Sequence, residues 1–411
     1  MQPVRSLIPQ QADHEIHSIS SDPLLPCQAL FLMVDVAGGA IMRNDNPESL
    51  FARAEQQRAG GMFAQALASY RDATRLFRRA RNQQGLFQSL VAQGHCLRLL
   101  GHFRLARANY QKALGLAATL KTPTDRADAE AGLGMSLRAV GDHRRALRLF
   151  ARAGRTYGKA RDRTGQAYVL WATAGALRIR GSLNDALDTF RRAKALFKQQ
   201  SDRAGAGYCL CGMGGVSRLM GKYRDSLTYY SEAHRKLRRL GDTFGRAYAA
   251  CGIANANRML GRSRTALAHF AEARRLYADL RDRVSYAYTL WGEGTLYKIS
   301  RQLKRAGQVF AAAEAIFIET RDPRGRIYTR LGRGEILILQ GKRRLARRLL
   351  EAARTAARRH GFRFEKLHSD LLLALLDRRE GKRVSTASLK RRYQALGSTF
   401  LYEGGLPLNL P

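Results

Sequence analysis

The sequence predicts an all-α solenoid of about eight helical hairpins, and three observations carry that prediction. Gly61, Gly101, Gly141, Gly181, Gly221, Gly261 and Gly341 lie at multiples of 40 residues, with Arg301 as the one departure. Five residues after each of these positions stands a small residue (Ala66, Ala106, Ala146, Ala186, Ser226, Ala266, Ala306, Ala346). Four further on comes a large one (Tyr70, Tyr110, Phe150, Phe190, Tyr230, Phe270, Phe310, Leu350), and three beyond that always alanine. Seven before each the residue is Ala or Gly: Ala54, Gly94, Gly134, Ala174, Gly214, Ala254, Gly294 and Gly334. Self-similarity at a fixed period of this length is the signature of a stacked repeat array.

Residues 1–47 precede the pattern. The first 41 hold Arg5 against Asp13, Glu15, Asp22 and Asp35, a net −3 that leaves +42 on the remainder of a chain whose total is +39. The apolar stretch 29–41 is interrupted by Asp35 and lacks the basic start of a secretory signal. This leader reads either as disordered or as lying before a true start at Met42. No apolar run is long and charge-free enough to cross a bilayer. Five irregularly spaced cysteines exclude a disulfide scaffold and point to a cytoplasmic setting.

Within each repeat of 48–361, small residues sit where two helices touch, and the large residue four later fills the gap on the same face. The Gly column ends the first helix, because a left-handed C-cap costs glycine no side-chain strain. The second helix ends at Arg161-Asp162, Arg281-Asp282 and Arg321-Asp322, with Ser201-Asp202 and Gly241-Asp242 as variants. Asp there caps the helix that follows. A hairpin of this kind buries its apolar face only against its neighbours, so the array stacks. Residues 362–398 read as capping helices, with Leu367, Leu371, Ala374 and Leu375 on one face and Lys390, Arg391 and Arg392 in a second, basic helix. Residues 399–411, with Gly404, Gly405, Pro407 and Pro411, read as an irregular tail that either frays or docks as an extended apolar peptide.

The core signature, Gly214-x6-Gly221-x4-Ser226-x3-Tyr230-x2-Ala233, resembles the tetratricopeptide repeat family over residues 48–361. The 40-residue period and the Asp-x2-Gly entry (Asp162/Gly165, Asp202/Gly205, Asp242/Gly245, Asp322/Gly325) are similar to the longer-repeat subgroup that includes the Pins-type adaptors. The resemblance implies a right-handed superhelix whose concave groove is lined by the first helix of each repeat.

Three residues before the Gly column stands a basic one: Arg58, Arg98, Arg138, Arg178, Arg218, Arg258 and Lys298, with Ile338 departing. Ten residues earlier the last five repeats carry Tyr168, Tyr208, Tyr248, Tyr288 and Tyr328, and between the two columns lie Trp171 and Trp291. At ~100° per residue, offsets of 3, 7 and 10 fall within about 80° on a helix. The resemblance turns this stripe toward the groove. A guanidinium ladder beside a ring ladder suits a ligand with spaced negative charges, since Arg pairs bidentately with carboxylate or phosphate. Two plainer accounts stand beside this one. Arg in a last turn is favoured by the helix dipole alone, and tyrosine at a helix start packs between hairpins.

Catalytic and metal signals do not appear. Gly215-x5-Gly221-Lys222 has the wrong spacing for a phosphate-cradling loop, and Gly212-x-Gly214-Gly215 follows no strand. Cys209, Cys211 and Cys251 read as core thiols. A solenoid is also expected to enclose no pocket in which a reacting group is desolvated. The function expected is a non-catalytic, cofactor-free adaptor taking an acidic protein or peptide, with no small-molecule substrate. The alternatives are a nucleic-acid-associated regulator that uses the arginine ladder on phosphates, or an accessory subunit of an enzyme complex at an anionic membrane surface.

Overall fold

The computed structural model describes residues 46–120, 122–399 and 405–411. The leader expectation thus falls, but for its last two positions, outside the described residues. Among these there are 18 α-helices and no strand. The first sixteen form eight antiparallel pairs: α1 (Pro47–Ala59) with α2 (Phe63–Arg79), α3 (Gln83–Leu99) with α4 (Phe103–Ala117), α5 (Pro123–Ala139) with α6 (His143–Lys159), and α7 (Arg163–Arg180) with α8 (Leu183–Gln199). Then come α9 (Arg203–Leu219) with α10 (Tyr223–Arg239), α11 (Thr243–Met259) with α12 (Ser263–Asp279), α13 (Arg283–Ile299) with α14 (Leu303–Glu319), and α15 (Pro323–Leu339) with α16 (Arg343–His360). α17 (Arg363–Arg379) and the short α18 (Ala387–Gln394) follow. No helix among the described residues is long and apolar enough to cross a membrane.

The repeat columns are the packing code of the stack. The large residue of each second helix is buried between two first helices, its own and the next. The Tyr230 ring lies where a Cβ on Gly214 or on Gly252 would have to be, with hypothetical separations of 2.7 and 2.1 Å. The invariant alanine, from Ala73 to Ala353, is wholly buried in every repeat. The glycine of the Asp-x2-Gly entry has a similar steric cause: a Cβ on Gly205 would come within 2.4 Å of the Phe197 ring. The aspartate caps as the sequence indicates, Asp202 Oδ1 accepting from Gly205 N at 2.7 Å and Asp242 Oδ1 from Gly245 N at 2.7 Å.

Among the described residues, both turns use left-handed backbone in seven of the eight hairpins. The Gly column has φ between 74° at Gly341 and 93° at Gly141, and Arg301 adopts φ 62° in its place. The second turn places Arg81, Arg161, Ser201, Arg281 and Arg321 at φ of 53–57°. A residue with a Cβ is strained there by roughly 1 kcal/mol.

The superhelix closes on itself. The turn at Gly101 lies against Val284 and Thr320, Gly141 against His360 and Phe362, Gly181 against Phe364 and Leu396, and Gly221 against Thr399. The His143 and Phe362 rings stand 5.4 Å apart, and Ser398 Oγ donates to Leu219 O at 2.6 Å. Early repeats therefore touch late ones, and the concave groove becomes a channel. The expectation that a solenoid encloses no pocket is corrected here. It holds for an open arc and fails once one superhelical turn brings the two ends together. Residues 405–411 run inside the channel, with Leu408 and Leu410 only 2% and 3% exposed.

Candidate functional site

A cavity of about 360 Å³ occupies the channel, walled by the first helices of repeats at both ends of the chain. Arg98, Arg138, Arg178 and Arg218 project into it from one side, each from the last turn of its helix. The heptapeptide tail enters from the other side and ends at Pro411 in the same cavity.

The members of the basic column face different residues 37 positions further on, in the next first helix. Those positions read Met135, Gly175, Gly215, Asn255, Thr295 and Glu335. An Arg138 amino group would lie 2.2 Å from a Cβ on Gly175, and an Arg178 amino group 3.0 Å from one on Gly215, so both guanidinium groups rest on bare backbone. Neither meets a carboxylate there. Arg138 Nη1 donates to Ala172 O at 3.4 Å and its head lies 5.7 Å from the Trp171 ring. The buried Nε of Arg98, Arg178 and Arg218, and Nη1 of Arg218, have no hydrogen-bond partner. Burial, reinforced by the neighbouring Arg98 and Arg178, pushes the Arg138 guanidinium down to about 10. The two aspartates in the same cavity are committed elsewhere. Asp282 caps α13 through Ser285 N at 3.0 Å, and Asp322 caps α15 through Gly325 N at 2.9 Å. Burial raises both carboxyls, against the nearby charge of Arg98 for Asp282 and of Arg324 for Asp322.

The later members of the column are engaged. Lys298 forms a fully buried ion pair with Glu335 and also donates to Leu408 O at 2.8 Å. Arg258 binds Asn255 Oδ1 at 3.1 Å, the Asn409 side chain, and Leu410 O at 3.0 Å. Burial beside Arg218 pushes its guanidinium down to about 9. Arg58, at the start of the column, is spent within its own hairpin on Glu55 at 2.6 Å.

The rings also divide. Tyr248, Tyr288, Trp291 and Tyr328 line the cavity, with Trp291 and Tyr328 4.5 Å apart. Tyr168 and Tyr208 are 1% and 3% exposed and belong to a packing chain. The ring centroids of Tyr168, Trp171, Tyr208, Phe244 and Tyr277 follow one another at 5.8, 6.4, 6.3 and 6.2 Å across the stacked hairpins. For these tyrosines the packing account describes their surroundings. Asn255 and Glu335 were not singled out from the sequence, Arg301 stood out only as a break in the Gly column, and of the two expectations for the tail the docked one describes residues 405–411. The break in the glycine column at Arg301 was the available signal, because Arg301 Nη2 donates to Leu406 O at 3.0 Å. Among the described residues no group of three or more His, Cys, Asp or Glu is placed to hold a metal ion.

Residues 208–279 match the tetratricopeptide repeat model. No curated protein matches the sequence. Among solved structures, a Rap protein complexed with Competence and Sporulation Factor is 14% identical with a TM-score of 0.57, covering 85% of this chain and 99% of that one. The Rap conjugation gene regulator of plasmid pLS20, in complex with the Phr* peptide, is 14% identical with a TM-score of 0.58, covering 77% and 96%. NprR in complex with its cognate peptide NprX is 13% identical with a TM-score of 0.55, covering 76% and 90%.

Proposed function

We propose that this tetratricopeptide-type solenoid is a peptide-binding adaptor. An extended segment of a partner protein would occupy the channel and set acidic side chains against Arg98, Arg138, Arg178 and Arg218. The observation that carries the proposal is the pairing of two features in one cavity. Inward-facing guanidinium groups keep buried nitrogens of Arg98, Arg178 and Arg218 without a hydrogen-bond partner, and an extended chain already fits beside them. A cluster of buried like charges is costly without a counter-charge, and the planar fork of arginine suits carboxylates. That two structures of similar fold hold, by their own descriptions, a peptide supports the class of ligand.

Selection of 12-residue peptides from a random display library tests this. The bait is the full chain, beside a variant carrying Arg138→Gln, Arg178→Gln and Arg218→Gln. The proposal predicts enrichment of sequences with two or more acidic residues and at least a tenfold weaker affinity in the variant. Equal enrichment by both proteins contradicts it. A second reading has its own observation, the exposed arginines 343, 344, 348, 354, 358 and 359 on α16, outside the channel. If nucleic acid binds there, log K should fall with log salt at about −0.7 to −0.9 per phosphate and should ignore the channel substitutions.

A further inference from the structure

Residues 405–411 are held in a manner that describes a ligand more closely than a structural strut. The carbonyls of alternate residues Leu406, Leu408 and Leu410 accept from Arg301 at 3.0 Å, Lys298 at 2.8 Å and Arg258 at 3.0 Å. This is the two-residue repeat of an extended strand. Leu408 N donates to Glu335. Asn409 makes a reciprocal pair with a single residue, accepting from the Arg258 guanidinium and donating to Arg258 O at 3.1 Å. The grip therefore falls on backbone plus one amide side chain, while three leucines supply apolar contact. Apart from Arg301, which stands in the Gly column, the columns that pack the hairpins draw on none of these residues. The tail also has a direction: it runs from Arg301 toward Arg258, and its last residue, Pro411, opens onto the cavity lined by Arg98, Arg138, Arg178 and Arg218.

We infer that this half of the channel is a recognition site for an extended, uncharged partner segment with leucines at alternate positions and an asparagine between the last two. Residues 405–411 are the tethered copy that a partner displaces. The inference rests on the channel being a peptide site, and it deepens that reading by giving the segment a sequence and a direction. Residues following the apolar stretch of a partner are delivered to Arg218, Arg178, Arg138 and Arg98, where acidic side chains meet them.

The probe is a synthetic peptide of residues 405–411, labelled at its amino end and titrated by fluorescence polarisation. It is run against the full chain and two full-length variants that leave every channel-wall residue in place. Asn409→Arg sets a cation against Arg258, and Leu408→Glu sets a carboxylate beside Glu335. A short tether supplies an effective concentration of about 1 mM, so a tail of ~10 μM intrinsic affinity weakens the external peptide about 100-fold. Both variants should therefore bind the peptide about 100-fold more tightly than wild type. Folded variants that bind no better overturn the inference. So does loss of helical circular dichroism in both, because the tail is then a strut the fold requires. An acidic library peptide run in parallel separates this from the adaptor reading. If it binds wild type and variants equally, the adaptor stands and the tethered ligand falls. If only the tail peptide binds, the converse holds.

Discussion

The stacking of the repeats is tested by one methyl group. Gly252 on α11 faces Tyr230 of the preceding hairpin, and a Cβ there would lie 2.1 Å from the ring with no free space to enter. Gly307 on α14 has nothing within 4 Å of its hypothetical Cβ. Alanine in a helix interior is favoured over glycine by about 0.8–1 kcal/mol, so Gly307→Ala should stabilise by about that much. The same gain applies to Gly252→Ala but is set against overpacking of ~1–3 kcal/mol, because Tyr230 is already held on its other side by Gly214. Overpacking wins, for a net loss of up to about 2 kcal/mol. The two variants should differ by about 1–3 kcal/mol in opposite directions. Urea unfolding followed by circular dichroism reads this as a lower midpoint for Gly252→Ala and a higher one for Gly307→Ala. Tyr230→Leu should relieve part of the clash, since Leu350 fills the equivalent position against Gly334. A Gly252→Ala midpoint equal to or above that of Gly307→Ala would refute the packing code.

Other perturbations have definite signs. Lys298→Met strands Glu335, which is 0% exposed, as an uncompensated buried carboxylate, and should cost ~3–5 kcal/mol in unfolding free energy. Adding Glu335→Leu should recover most of that loss. Burial pushes the His368 imidazole, bonded to the Tyr393 hydroxyl at 2.7 Å, down to about 4. The folded state thus favours the neutral ring, and its contribution is full above about pH 6.5 and lost as pH falls toward 4. The loss is at most ~3 kcal/mol, and melting temperatures should fall less steeply over that window in His368→Gln. Asp202→Ala removes the bond to Gly205 N and should cost ~1 kcal/mol, seen as faster amide exchange in the first turn of α9.

Much of this fold was legible because the repeat columns are steric. A ring that must pass between two first helices forces glycine or alanine on both, so the period surfaces in the sequence. The basic column was legible for the same reason, since Arg138 and Arg178 rest on glycine. Its division was not. Whether a member is engaged depends on Asn255 in the same helix for Arg258, on Glu335 in the next hairpin for Lys298, and on a tail 110 to 152 residues away. Superhelix closure was hidden for a similar reason. It rests on pairs such as Gly101 with Thr320, which no 40-residue window contains. Tyr168 and Tyr208 share the helical spacing of the rings that line the cavity, so the sequence could not separate rings within the packing chain from rings along the channel.

The central claim is that ligand enters the channel and meets Arg98, Arg138, Arg178 and Arg218. A crystal structure of the full chain with the tightest acidic library peptide tests it most directly. The account predicts peptide density inside the channel, with carboxylates on Arg138, Arg178 or Arg218 and residues 405–411 displaced. Peptide bound on the outer face of the second helices, with the tail still in place, would contradict it.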